Sequence, residues 1–336
     1  MTAAVDIMPE HVARAPGKAV VLGEYAVLDG APALVIAVDR RATVTIEPGA
    51  AGFNHVETRS PESRLFDAEP GSDTGVPLVD LVRRELGGDR TPWRATLDST
   101  AFFAGSRKLG LGSSAAVLTA LACAWAAWTG AARPTLDALI ALHRRFQSGA
   151  GSGLDIAASL TGGALVFRLD AARVPSVSSV QLPKGVGFAG VFAGRSASTP
   201  DLLARCHSWR AENPRQAAAR LETMERIAEL GCTAAERGES EEFLRAIDQY
   251  GRELDALGQA IGADIVTAEH RALAETARRF GVIYKVSGAG GGDLGLGLGT
   301  DAEALAAFRS AAAEQGFPVV DLGLDRQGLV IEERAP

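Results

Sequence analysis

Residues 108–128 read KLGLGSSAAVLTALACAWAAW. Two glycines and two serines are followed by fourteen residues, Ala115 to Trp128, that are all apolar except Thr119, and this predicts a turn opening directly into a buried helix. Glycine has no Cβ, so its backbone can close on a ligand. A helix beginning beside it aims unpaired N–H groups and the positive end of its dipole at the same place. Ser113 and Ser114 suit such a start, where a hydroxyl can cap the first turn or meet a magnesium ion.

Two more glycine-rich stretches lie far along the chain, GAGSGLD (Gly149 to Asp155) and SGAGGGD (Ser287 to Asp293). Each alone could be a tight connection and nothing more. Three together point to a phosphate held by backbone amides. Glycine accounts for 38 of 336 residues, and seven of these fall between Gly288 and Gly299, a clustering beyond average composition.

A chain of 336 residues with 47% hydrophobic content can fill two cores, so two domains are expected. The 34 basic and 41 acidic residues give a net charge of −7 with no basic block, which argues against a nucleic-acid partner. Cys123, Cys206 and Cys232 are odd in number and widely spaced, so they suggest neither a disulfide framework nor a zinc site, and a reducing cytoplasm fits. The start, MTAAVDIMPEH, lacks the basic and apolar regions of a leader, and the longest apolar run is too short to cross a bilayer. A soluble protein, monomer or homodimer, with no membrane partner is expected.

Short apolar strands are read between Val12 and Ile46. A loop is expected from Pro48 to Thr74, then a helix over Val76 to Leu86 and a strand at WRATLDS. The helix from Ser113, a second helix over Thr135 to Gln147, a third starting in GSGLDIAASL and a strand at GALVFR complete the first half. Residues 170–186, small, polar and proline-containing, read as the crossover between domains at 1–178 and 179–336. Beyond it come a strand (Gly187 to Ala193), the turn GRSASTP, long amphipathic helices from about 200 to 280, and strands at IYKVSG and LGLGLG. A helix and two short strands then end the chain. The pattern is α+β in both halves.

There is no GxxxxGK[ST], HExxH or GxSxG, and none of the five histidines pairs at metal-ligand spacing. GAGSGL lies between helical segments instead of after a strand, so a dinucleotide fingerprint is weak. What remains is a phosphate site without a P-loop. APGKAVVLGEYAVLDG (Ala15 to Gly30), KLGLGSSAA and KVSGAGGGD (Lys285 to Asp293) occur in that order across nearly the whole chain. They resemble the three signature motifs of the GHMP small-molecule kinases.

That resemblance implies an α+β, two-domain fold, with an N-terminal domain like ribosomal protein S5, a ferredoxin-like C-terminal domain, and ATP and acceptor meeting between them. It implies ATP and Mg²⁺ as cofactors and a small-molecule alcohol as substrate. GEYAVL, GSGLDIAASLTGG, GRSASTPDLL and SGAGGGD before an apolar residue resemble the members that act on an already phosphorylated alcohol, phosphomevalonate. Mevalonate or another small acceptor is the alternative, as is a homologue that only binds a metabolite.

By the same resemblance, Lys108, Gly110, Leu111, Gly112, Ser113, Ser114 and Ala115 would cradle the ATP phosphates, with Ser114 reaching Mg²⁺. Gly290 and Gly291 would close the last loop on the nucleotide. Asp155 would be the catalytic carboxylate and Lys18, read in a strand-turn, would hold it ionised and offset charge on the moving group. A helix-start charge and a solvated lysine are the simpler readings of these two. Glu24 and Tyr25 would shape the acceptor pocket or pack a strand pair. Lys18, Lys108, Ser152, Asp155, Arg195, Ser198, Ser287 and Gly288 would meet the acceptor, and Ser287 would also cap its own turn. Mevalonate kinases carry a magnesium-binding Glu eleven residues before the catalytic Asp, and here that position is Arg144. His143 reads as solvated or packed, and Trp125, Trp128 and Cys123 read as core.

Overall fold

The computed structural model describes residues 9–49, 52–88, 92–147, 149, 151–194 and 199–334. Strands β1 (Glu10–Leu22), β2 (Ala33–Pro48), β3 (Asn54–Ser60) and β4 (Glu62–Ala68) precede helix α1 (Pro77–Leu86). Next, β5 (Trp93–Asp98) and the two-residue strands β6 (Phe103–Ala104) and β7 (Arg107–Lys108) lead into α2 (Ser113–Thr129), α3 (Leu136–Phe146) and α4 (Leu154–Thr161). Then β8 (Ala164–Leu169), β9 (Pro175–Val180) and β10 (Gly187–Phe192) come before α5 (Thr199–Glu212), α6 (Pro214–Arg237), α7 (Ser240–Ala260) and α8 (Ala268–Arg279). The remaining elements are β11 (Ile283–Val286), β12 (Leu294–Gly299), α9 (Ala302–Glu314), β13 (Val319–Val320) and β14 (Val330–Arg334).

The first sheet is organised by β2. It pairs with β1 along most of its length, with β8 through Ala33–Ile36 and with β5 through Thr43–Pro48. Its second half alternates buried Ala42, Val44 and Ile46 with partly exposed residues, the period of a strand with one face on a core. Against that face lies α2, apolar all round, with thirteen of its seventeen residues buried. Trp125 of α2 meets Trp93 of β5 edge-on at 5.2 Å and donates its indole N–H to the Gly87 carbonyl. The β1–β2 ladder shifts register at Pro16/Gly17, and this irregularity re-aims the strand immediately before Lys18.

The second sheet is antiparallel in the order β11-β12-β10-β13, and α8 and α9 close a smaller core around Val191, Leu273 and Phe308. The larger core runs on from the first sheet through α6 and α7 to β11 and β12. The two layers thus form an α+β molecule with a cleft at their seam. Among the described residues no helix is long and apolar enough to cross a membrane.

Several segments differ from the sequence reading. Residues between Pro48 and Thr74, expected as a loop, contain the β3–β4 hairpin, with β3 parallel to β5. Five of the seven residues of β4 alternate little and are exposed at the sheet edge, so no apolar period marks them. APALVIAVD and RATVTIEPG are one strand instead of two. Lys18 sits within β1, not in a turn. A boundary at 178/179 falls inside β9, which pairs with β8, and β14 returns to pair with β1. Three of the seven clustered glycines, Gly295, Gly297 and Gly299, are strand residues. A Cβ at the first two would strike the rings of Tyr284 and Phe308, so they serve packing and not a ligand.

Candidate active site

The cleft begins with the N-terminus of α2. Gly112 precedes it in the left-handed region, φ +77°, and no side chain caps the helix. The first intrahelical bond runs from Ala116 N–H to the Gly112 carbonyl, so the preceding amides point into the cleft without a helical partner. A Cβ on Gly112 would lie 3.1 Å from Lys18 Cγ and 3.8 Å from Asp155 Cβ. The loop backbone at Gly112 therefore lies close to both the lysine and the carboxylate. Lys18 N–H donates to the Leu111 carbonyl at 2.8 Å, which fixes β1 beneath the loop.

The Lys18 ammonium donates to the Gly110 carbonyl at 3.2 Å. Burial pushes its pKa down, while Asp155, Asp293 and Glu24 push it up and Lys285 again lowers it. No ion pair joins Lys18 to Asp155 directly; the expected pairing acts through space. Asp155 opens α4 behind Gly153, with one carboxylate oxygen on the Ile156 N–H and the other 3.7 Å from His143 Nδ1. His143 Nε2 lies 3.0 Å from the Ser114 hydroxyl. His143 is thus a buried link between two site residues, not the packing or solvated residue that the sequence suggested. The available signal was position: it sits on the face of α3 that buries Leu139, Ile140 and Leu142, where an imidazole needs a polar partner. Arg144 donates to the carbonyls of Gly151 and Ser152 and so braces the loop that leads to Asp155.

The last glycine loop is fastened to the first sheet. Ser287 Oγ accepts from Val20 N–H at 2.8 Å, so this hydroxyl ties the loop to β1 instead of capping its own turn. Glu24 and Lys285 form a buried ion pair, and the Gly288 N–H donates to the same Glu24 oxygen. The Tyr25 hydroxyl donates to the Ala289 carbonyl at 2.6 Å. Tyr25 itself has φ +63°, a costly value for a side-chain-bearing residue, held in place by these contacts. Gly290 packs on Ile265, whose carbonyl accepts from Gly291 N–H and lies 2.4 Å from where a Gly290 Cβ would be.

These elements enclose a cleft of about 290 Å³, lined among others by Lys18, Glu24, Tyr25, Lys108, Gly110, Gly112, Ser113, Ser114, Ser152, Asp155 and Gly288. Gln147, Leu203 and Asp293 also line it and were not singled out from sequence as site residues. Leu111 and Ala115 are core residues whose side chains face away. Ser287, Gly290 and Gly291 hold the wall from behind. Arg195 and Ser198 lie outside the described residues.

The donor set can hold an anion and a hard cation together. Amides, Lys18 and Lys108 supply positive charge, while the Ser114 hydroxyl and the Asp155 carboxylate converge from two helices onto one imidazole. Among the described residues no three His, Cys, Asp or Glu side chains cluster as a metal cage. Mg²⁺ needs no such cage, because it takes one or two protein oxygens and completes its shell with phosphates and water.

Residues 78–163 match the family described as GHMP kinases N terminal domain. The chain is 34% identical to a phosphomevalonate kinase of Streptomyces sp. (strain CL190) over 87% of its own length and 90% of the relative's. It is 27% identical to a mevalonate kinase of Thermococcus gammatolerans, over 97% and 99%. Its fold matches that of Streptococcus pneumoniae phosphomevalonate kinase in complex with phosphomevalonate and AMPPNP, with a TM-score of 0.78 at 20% identity, covering 93% of this chain and 99% of that one.

Proposed function

This chain belongs to the GHMP kinase family, and from that premise we propose that it transfers the γ-phosphoryl group of ATP to the phosphate of (R)-5-phosphomevalonate, giving the diphosphate. The observation that carries this reading is the cleft itself. An uncapped buried helix N-terminus, a lysine and a carboxylate meet in it beneath a loop fastened from the other sheet.

Phosphoryl transfer asks the protein for positioning and charge neutralisation more than for covalent chemistry. The amides from Gly112 to Ala115 would take the β- and γ-phosphate oxygens. Lys18, held by Gly110 at one side of α2, would face the γ-phosphoryl group as charge builds on it. An oxygen of the acceptor phosphate forms the new bond to γ-phosphorus. The bond to the bridging oxygen breaks and its electron pair leaves with ADP. That acceptor oxygen is already largely ionised near neutral pH, since a monoester's second pKa is about 6. Asp155 then has no proton to remove, and its part is to orient Lys18 and the cation. With mevalonate, whose hydroxyl must lose a proton, the same carboxylate would serve as base.

Mg²⁺ fits this donor set, with Ser114 and Asp155 as the protein oxygens that would hold it. Bound there, it would neutralise phosphate charge. Arg144, standing where mevalonate kinases have a glutamate ligand, braces the loop instead. The protein is read as cytoplasmic, because its three cysteines are free and buried.

The match to an archaeal mevalonate kinase along nearly the whole chain supports a second reading, with mevalonate as acceptor. Steady-state ADP release with each acceptor decides between them. A higher kcat/KM for phosphomevalonate is expected, and replacing Lys108 by Met should raise its KM on the order of tenfold, the loss of a charge-assisted hydrogen bond of about 1.5–3 kcal/mol. A higher kcat/KM for mevalonate would overturn the assignment.

A further inference from the structure

We propose that Arg144 and Arg173 form a paired-guanidinium site at the outer end of the cleft, and that it receives the carboxylate of the acceptor. The inference deepens the proposed reaction and rests on it. It holds for either acceptor, since phosphomevalonate and mevalonate carry the same carboxylate.

Arg144, half-buried on α3, donates from Nε to the Gly151 carbonyl at 3.3 Å and from Nη2 to the Ser152 carbonyl at 3.0 Å. Arg173, exposed in the turn between β8 and β9, donates to the same Gly151 carbonyl at 3.3 Å and to the Leu28 carbonyl at 3.4 Å. One neutral oxygen thus serves two cations. Leu28, Gly151 and Ser152 all line the cleft. Arginines elsewhere meet both oxygens of a carboxylate, as Arg210 meets Asp29 and Arg168 meets Glu229. Among the described residues, Arg144 and Arg173 have no carboxylate within ion-pair distance. Asp170, in the same turn as Arg173, accepts the N–H groups of Ala172 and Val174 instead. Burial lowers the Arg144 pKa and Arg173 lowers it again, with no acid opposing either.

The backbone supplies a second, independent observation. Arg173 N–H donates to the Asp170 carbonyl and Asp170 N–H to the Val174 carbonyl, a tight hairpin in which Arg173 takes the left-handed region at φ +60°. Glycine adopts that conformation at less cost. An arginine there is explained by what its side chain reaches and not by the turn. Both guanidinium groups are turned onto the wall, and a carboxylate arriving at the rim exchanges the long bonds of Arg173 for charge-assisted ones of about 2.7–2.9 Å. The reach is also right. Ser152 stands three residues before Asp155, so their Cα atoms are at most about 11 Å apart, while the acceptor spans about 7–8 Å from carboxylate carbon to phosphorus when extended. Val27, Leu28, Leu154 and Leu203 line the space between and suit its hydrocarbon chain.

Arg173→Gly removes the side chain and suits the backbone, so it separates binding from folding. Binding of phosphomevalonate and of mevalonate to the full-length protein should be measured by calorimetry, beside analogues that carry CH2OH in place of the carboxylate. Steady-state kinetics and thermal unfolding complete the comparison.

The expected result is that Arg173→Gly melts no lower than the parent and binds the carboxylate-bearing acceptors about tenfold or more weakly, with the change in KM for the acceptor and not in kcat or the KM for ATP. The CH2OH analogues should bind parent and variant alike. Arg144→Gln should weaken the same acceptors and, because Arg144 also braces the loop before Asp155, lower kcat as well. Unchanged acceptor affinity in Arg173→Gly would overturn the inference, and so would an equal loss for acceptors and analogues. A lower melting temperature with unchanged affinity would make the side chain a strap between loops. Turnover of phosphomevalonate with the same KM in parent and Arg173→Gly leaves the reaction standing and overturns this inference alone. Arg173-dependent binding and turnover of mevalonate only sustains the inference and sinks the proposed reaction, whereas a parent that binds neither acceptor overturns both.

Discussion

Glu24, at the end of the first strand, and Lys285, in the second sheet, form an ion pair with side chains only 3% and 0% exposed. It joins residues 261 apart in sequence. Lys285 also donates to the Val286 carbonyl, and the same Glu24 oxygen takes the Gly288 N–H. Burial presses the Lys285 pKa down and Glu24 opposes it, so the pair is a desolvated unit whose members depend on each other. Removing one partner leaves a buried charge. Lys285→Met and Glu24→Leu should each cost about 3–5 kcal/mol, whereas the double variant should recover much of that loss. Urea unfolding of the three variants measures this, and single variants within about 1 kcal/mol of the parent would contradict it.

Asp155→Asn keeps the shape of the side chain and its place at the start of α4 but removes the charge that acts on Lys18. Turnover should fall by about 100-fold or more, with affinity for metal-free nucleotide and melting temperature little changed. Activity within a few-fold of the parent would reduce Asp155 to a helix-start charge.

Gly112→Val places a β-branched side chain at φ +77° and against the aliphatic stem of Lys18. Both the amide approach and the lysine are displaced. ATP affinity should fall by more than tenfold, with a smaller loss of stability of about 1–2 kcal/mol from the backbone conformation. Nucleotide titration and melting, run on the same sample, compare the two. An unchanged affinity would mean that this loop meets no phosphate.

His270 is buried against Tyr284, 2.8 Å from its hydroxyl, and burial lowers its pKa to about 4, with Glu269 opposing and Lys285 adding to the drop. An unfolded chain binds this proton below about pH 6.5, whereas the folded chain resists until about pH 4. Stability from this group is therefore complete above pH 6.5 and is lost as pH falls from there to 4, by an amount on the order of 3 kcal/mol. His270→Gln should flatten that part of the stability–pH curve. The same slope in parent and variant, from unfolding at several pH values, would rule the residue out as its source.

Glycine loops and the long apolar helix were legible because their signals are local. KLGLGSSAA and the run after it carry their own turn and their own period, and the structure places Gly112 and α2 accordingly. Other features depend on partners distant in sequence. Residues 175–180 look like a linker, since Ser176, Ser178 and Ser179 contribute no apolar pattern, yet they form the strand β9 on β8. Nothing local to Lys285 in the sequence reveals that the fold brings Glu24 to it. The Ser287 hydroxyl could have capped its own turn, but the nearer demand was the unpaired Val20 N–H of β1.

The pairing of β14 with β1, residue by residue from Glu10↔Arg334 to Arg14↔Val330, has a consequence for the birth of the molecule. β1 can pair with β2 as soon as both have left the ribosome, but the edge that β14 will cover stays open until some three hundred further residues have been made. A half-made chain therefore carries a strand edge able to recruit any extended segment nearby. His11, Ala13 and the other residues of that edge are sealed only once β14 has been made, which makes that strand a latch on β1.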